Sequence, residues 1–164
     1  MRANHAGAAP SGERLVRPGR HRVAWHPAPV RGFSVLLVDD DHHHRPPLLR
    51  ALRDQGHEVL HAADGASGEI LCQMSQPAID ALAACADMKR MCGSELARRV
   101  IRLRPEVRVL LMGRDLGPEE VHRAYERGYA VIEEPFTPHL LCHRLTDLLG
   151  RPRNDARTEV PGRW

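Results

Sequence analysis

Residues 34–41 read SVLLVDDD, an apolar run from Ser34 to Val38 that stops abruptly at Asp39, Asp40 and Asp41. A short continuous apolar segment bounded by charge is the pattern of a strand buried on both faces, with its end opening on a polar site. Four further segments repeat the theme: EVLHA (58–62), the alanine-rich stretch 81–85, Val107 to Met112, and Ala130 to Ile132. Helical signals fall between them. Pro46 and Pro47 suit a first helical turn, where no N–H need be donated, and Leu48, Leu49 and Leu52 give one apolar face that Gly56 ends. Ile70, Leu71 and Met74 mark a second helix, and Leu96, Val100 and Leu103 lie on one face of a third. Pro118 opens a fourth, carrying Val121 and Tyr125, and Leu141, Leu145 and Leu148 define a fifth. Five strands in strict alternation with five helices predict an α/β domain over residues 33–150, a parallel sheet covered on both faces.

The 164 residues suffice for one domain, and 42% hydrophobic content provides a core. Apolar runs of five or six residues are too short to span a bilayer, so no membrane association is expected. The chain carries +3, with +5 in residues 1–32 and +2 in residues 151–164, which leaves −4 for the segment between. Both arms are rich in Gly, Pro and Arg and lack apolar periodicity. They are read as a disordered basic leader (1–32) and a disordered basic tail (151–164). The leader has no continuous apolar core of a secretory signal, so the protein is expected to remain in the cytoplasm. Nucleic acid is not an expected partner, since Trp25 is the one aromatic residue among the leader's arginines and no groove-reading helix is present. Cys72, Cys85, Cys92 and Cys142 have no CxxC spacing and read as reduced thiols.

In a doubly wound sheet, ligands bind at the carboxyl ends of the strands, which directs attention to Asp39, Asp40 and Asp41. Clustered carboxylates need a cation or a basic side chain, and their hard oxygens suit Mg²⁺.

The order of motifs resembles one family. VLLVDDD, EVLHAADGASG, MKRMCGSELARRV, RPEVRVLLM and EPFTPHLL are similar, in sequence and spacing, to the receiver domain of bacterial two-component response regulators. The resemblance covers residues 33–150 and implies a flavodoxin-like (βα)5 fold. It also implies a phosphorylatable switch. Two acids after the first strand hold Mg²⁺, an Asp ending the third strand accepts phosphate from a histidine kinase, and a Thr or Ser after the fourth strand and a Lys after the fifth contact the phosphoryl group.

Transferred position by position, these roles fit poorly. Asp39 and Asp40 match the acid pair and are the candidate metal ligands. The phosphoacceptor position, five residues beyond Asp80 and eight before Gly93, is Cys85. The hydroxyl position is Gly113, and the Lys position before Pro135 and Phe136 is Glu134. The aromatic switch position is Val131, and Lys89 replaces the usual Pro of the loop after the acceptor. Phosphoryl transfer needs an oxygen nucleophile and cations to offset charge. Reversing one unit charge at roughly 4–6 Å, with an effective dielectric near 20, disfavours a bound phosphoryl group by several kcal/mol. The ordinary mechanism is therefore expected to be absent. Asp87, two residues late, is the alternative phosphoacceptor.

Lys89, Arg90 and Arg114 border the site, and one of them is expected to form an internal ion pair that replaces the missing lysine. His42, His43 and His44, with Cys85, suggest zinc or nickel, but adjacent histidines on a loop point in different directions, so a solvated turn is the preferred reading. Cys85 as a redox sensor is disfavoured because neighbouring carboxylates suppress the thiolate. The family's usual partner surface is the fourth helix, fifth strand and fifth helix. Here it carries Glu119, Glu120, His122, Arg123, Arg127, His139, His143 and Arg144, a mixed-charge face suited to a histidine kinase or other signalling protein. The sequence thus predicts a non-enzymatic pseudo-receiver, monomeric or homodimeric, that acts as a phosphorylation-independent interaction module. Mg²⁺ is the one candidate cofactor. A small redox or metal-binding protein on the same fold is the alternative from another class. A decaying sequence, suggested by the alanines of the third strand, would lack a cooperative melt.

Overall fold

Strand β1 (Ser34–Val38) is buried along its whole length, as its apolar run requires. In a computed structural model that describes residues 32–76 and 78–150, it is followed by α1 (Arg45–Asp54), β2 (Glu58–Ala62), α2 (Gly65–Met74) and β3 (Ala81–Cys85). The second half comprises α3 (Gly93–Leu103), β4 (Arg108–Gly113), α4 (Pro118–Glu126), β5 (Ala130–Glu133) and α5 (Pro138–Gly150). The expected leader, Gly32 excepted, and the expected tail lie outside the described residues. The five strands form one parallel sheet in the order β2-β1-β3-β4-β5. This is the flavodoxin-like doubly wound topology, whose chain reversal opens a crevice between β1 and β3.

Side-chain alternation along each strand splits the core into two layers. Leu36, Val38, Leu82, Ala84, Val109 and Leu111 face Cys72 of α2, Leu96, Ala97 and Val100 of α3 and Ala124 of α4. Val35, Leu37, Ala81, Ala83, Leu110 and Met112 face Leu48, Leu49 and Leu52 of α1 and Leu141, Cys142 and Leu145 of α5. The alanines of β3 are all fully buried at the centre of the sheet, where small side chains let helices on both faces come close.

Two expectations need correction. β4 begins at Arg108 rather than Val107 and runs on to Gly113, and β5 extends to Glu133, so both strands reach one residue further toward the carboxyl edge. In α2, Ile70 and Met74 are 54% and 74% exposed. The buried residues of that helix are Gly65, Gly68 and Cys72. It approaches β1 so closely that a Cβ at position 68 would meet Val38 Cγ2 at 2.9 Å, and the larger side chains turn outward. Leu103, the last residue of α3, is also exposed, while Leu96 and Val100 are buried as predicted. Asp64 caps α2 by accepting the Ser67 N–H at 2.8 Å. No helix among the described residues is long and apolar enough to cross a membrane.

Candidate functional site

The parallel register brings the strand ends to one edge. Val38 stands beside Ala62 and Ala84, Cys85 beside Met112, and Gly113 beside Glu133. The ladder continues one step beyond the strands, with Asp39 N–H donating to Ala62 O, Ala86 N–H to Met112 O and Glu134 N–H to Gly113 O. Asp39, Cys85, Gly113 and Glu134 therefore share the carboxyl edge, as the sequence implied.

Asp39 is only 1% exposed. Its carboxylate accepts the Asp41 N–H on Oδ1 at 2.9 Å, and its Oδ2 lies 2.8 Å from His44 Nδ1. A carboxylate offers only acceptors, so Nδ1–H is the donor and the proton sits on that nitrogen. Arg45 reaches back from α1 to the Asp39 carbonyl oxygen at 2.6 Å. Asp40 is half-buried and accepts the Lys89 N–H at 3.3 Å. Asp41 is exposed and accepts the N–H groups of His43 and His44, which hold its carboxyl below the usual range.

The histidine run divides. His42 and His43 are exposed and pack ring against ring, as a solvated turn would have them. His44 instead turns inward between Asp39 and Phe136, whose ring it meets edge-on at a centroid distance of 5.3 Å. This corrects the reading of all three as solvated. Its signal was position: it is the residue just before the Arg-Pro-Pro start of α1, five residues after Asp39.

Cys85 is half-buried, and its thiol is pushed up to about 11. Burial is the largest cause; the Asp87 N–H hydrogen bond opposes it, and the charges of Asp39, Asp40 and Asp87 add to it. The expected carboxylate effect is present but secondary to desolvation. Asp87 itself is exposed on the loop after β3. That loop is pinned at Gly93, whose N–H donates to Ala86 O and where any Cβ would lie 2.4 Å from the Cys85 carbonyl oxygen.

On the other side of the crevice, Arg114 donates from Nε and Nη2 to Glu134 Oε2 at 3.1 and 2.8 Å. Of the three candidate cations, this is the one that meets Glu134. The pair is not internal, since Arg114 is 75% exposed and Glu134 20%. Arg90 acts on the electrostatics of Asp64. Glu134 precedes Pro135 through a cis peptide. At Gly113, a Cβ would fall 2.7 Å from Leu116 Cδ2 and 3.1 Å from Ala86 Cβ. Leu116, itself buried, occupies the space a Ser or Thr side chain would need. No periodicity in the loop 114–117 could have announced this. Val131 is half-buried against the core.

The Asp39 and Asp40 carboxylates and the Cys85 sulfur have ligand atoms within 4.8 Å of one another. The resemblance to receiver domains implies Mg²⁺ here, and Asp39 and Asp40 would supply the one or two carboxylates that this ion takes alongside water, with the Cys85 sulfur standing where a further oxygen ligand would be.

No family model matches the chain, and no curated protein matches it. Solved structures do. A CheY-like response regulator receiver domain protein from Methanospirillum hungatei JF-1 is similar at a TM-score of 0.67 and 23% identity, over 72% of this chain and 94% of that one. The chemotaxis protein CheY4 of Vibrio cholerae is similar at a TM-score of 0.65 and 26% identity, over 71% of this chain and 98% of that one. A response regulator receiver domain protein from Clostridium thermocellum gives a TM-score of 0.66 at 19% identity, over 71% and 94%. The fold is that of response regulator receiver domains.

Proposed function

We propose that this receiver-fold domain serves two-component signalling as a phosphorylation-independent interaction module. The observation that carries the proposal is the occupation of the phosphoryl cradle by the chain's own side chains. Glu134, at the lysine position, holds Arg114, and Leu116 fills the space over Gly113. A phosphoryl group would meet a carboxylate where it needs a cation, and no hydroxyl or oxygen nucleophile stands at the positions of Gly113 and Cys85.

What remains is shape. The partner face proposed for a histidine kinase or other signalling protein comprises α4, β5 and α5. On α4 Arg123 pairs with Glu119, and His122 and His143 stand within ion-pair distance of Glu126 and Asp147 on their own helices, pairs that carry opposite charges only when the imidazole is protonated; all of these residues are exposed. Such pairs add little stability but fix a charge pattern that a partner can read.

Incubating the full chain with acetyl phosphate and Mg²⁺, followed by intact mass measurement, tests the proposal. The expected result is no phosphoryl adduct. An adduct would overturn it, and loss of that adduct in Asp87→Asn would establish the alternative of a displaced acceptor.

A further inference from the structure

An open groove of about 420 Å³ lies at the β2 edge of the sheet, away from the crevice between β1 and β3. Its apolar wall is Ala62 and Ala63 at the end of β2 with Ile70 and Leu71 of α2, and its polar rim is Arg45 and His61. Arg45 belongs to the helical layer of α1, and Ile70 and Leu71 to the opposite layer, so the groove passes around the end of an edge strand. We infer that it binds a small amphiphilic anion, an acyl chain of medium length that ends in one carboxylate.

The volume lies in the range of small-ligand sites, which pair a mainly apolar lining with a few polar groups that fix orientation. Ile70 is 54% exposed, so a chain laid along α2 covers apolar surface that nothing among the described residues covers. The charge of the lining selects the head group. Although residues 33–150 are net negative, no carboxylate lines the groove, and both its titratable side chains are bases. Arg45 donates from Nη1 to the Asp39 carbonyl oxygen at 2.6 Å, a neutral acceptor, which leaves its charge unpaired and its other N–H donors open. Neither Arg45 nor His61 forms an ion pair among the described residues. Asp64, which follows Ala63, is turned to Ser67, accepting its N–H at 2.8 Å and its hydroxyl at 2.9 Å. A guanidinium beside an apolar wall therefore receives a carboxylate that carries its own apolar body. A protein partner would need roughly 800 Å² of surface here, whereas the groove takes in one turn of α2 and one strand end.

The test titrates the isotope-labelled full chain with sodium decanoate below its micelle concentration and reads backbone amide shifts. Decyltrimethylammonium serves as the matched chain of opposite charge. Decanoate is expected to give saturable shifts at Ala62, Ala63, Ile70 and Leu71, and the cationic chain to bind at least about tenfold more weakly, a comparison that needs no variant. Arg45→Gln should weaken decanoate by at least about tenfold, and Ile70→Glu should abolish its binding, both with wild-type circular dichroism. Leu140→Glu, at an exposed apolar residue of α5, should leave binding unchanged. Absence of saturable shifts, equal affinity for the cationic chain, or full affinity in Arg45→Gln would overturn the inference. So would a dimer in light scattering that Ile70→Glu converts to monomer, since the groove would then be covered by a second copy of the chain.

Discussion

At position 113 the packing of Leu116 leaves little room for a side chain. Gly113 has no side chain, and Leu116 lies where one would begin. Restoring a hydroxyl at this position therefore brings overpacking before it brings any contact with phosphate. Gly113→Ser is expected to cost about 1–3 kcal/mol in stability, and less in a Leu116→Ala background, because truncation opens the space. Denaturant melts of the two single variants and the double variant check this. Additive losses would place Leu116 elsewhere. The Arg114–Glu134 pair is a different kind of occupant: it sits at the surface, so its effect lies in neutralising Glu134 more than in holding the fold together. Cys85 is the third. Burial keeps its thiol protonated, with a value pushed up to about 11, which removes it as a nucleophile near neutral pH in the absence of a metal.

Among the elements, the loops at the carboxyl edge carry the site, and the opposite edge carries a titratable brace. His57, just before β2, is buried; its Nδ1 accepts the Phe33 N–H at 3.3 Å, and its ring stacks on Phe33. Its Nε2 is buried and has no hydrogen-bond partner among the described residues. Desolvation lowers its pKa below the ordinary 6.5. The unfolded chain therefore binds more protons than the folded one once the pH drops below about 6.5, so this contribution is complete above that pH and lost as the pH falls toward the folded value. Thermal melts between pH 7.5 and pH 5 should show a decline that is shallower in His57→Phe, whatever that variant's absolute stability. Equal slopes would remove His57 from the account. At the site edge, the close approach at Gly93 fixes the loop that follows Cys85, and the His44–Phe136 contact ties the start of α1 to the loop after β5.

For the whole molecule, the alternation of strand and helix was legible because buried parallel strands are continuous apolar runs, and each of the five strands was found within a residue of its expected bounds, with a helix after each. The buried face of α2 was not, because Gly65, Gly68 and Cys72 pack by their smallness and leave Ile70 and Met74 outside. The edge positions Cys85, Gly113 and Glu134 were readable through the resemblance to receiver domains, and Asp39 and Asp40 also from the end of the first apolar run; the parallel register is why these strand ends meet. Leu116 was not readable, because loop side chains turn by local contacts that no period encodes, and His44 was marked only by its place just before the Arg-Pro-Pro start of α1. The placement of Arg114 was only partly so: three cations were candidates, and geometry selected one.

On the proposed function, the pocket formed by Asp39, Cys85, Gly113 and Glu134 accepts no phosphoryl group. A similar receiver domain, that of DrrB, is known in a BeF3-activated form. The direct measurement is a backbone amide NMR titration of the full chain with beryllofluoride and Mg²⁺. No shifts are expected at Cys85, Gly113, Glu134 or the α4–β5–α5 face, and saturable shifts at these residues would show that the pocket still takes a phosphoryl-like group.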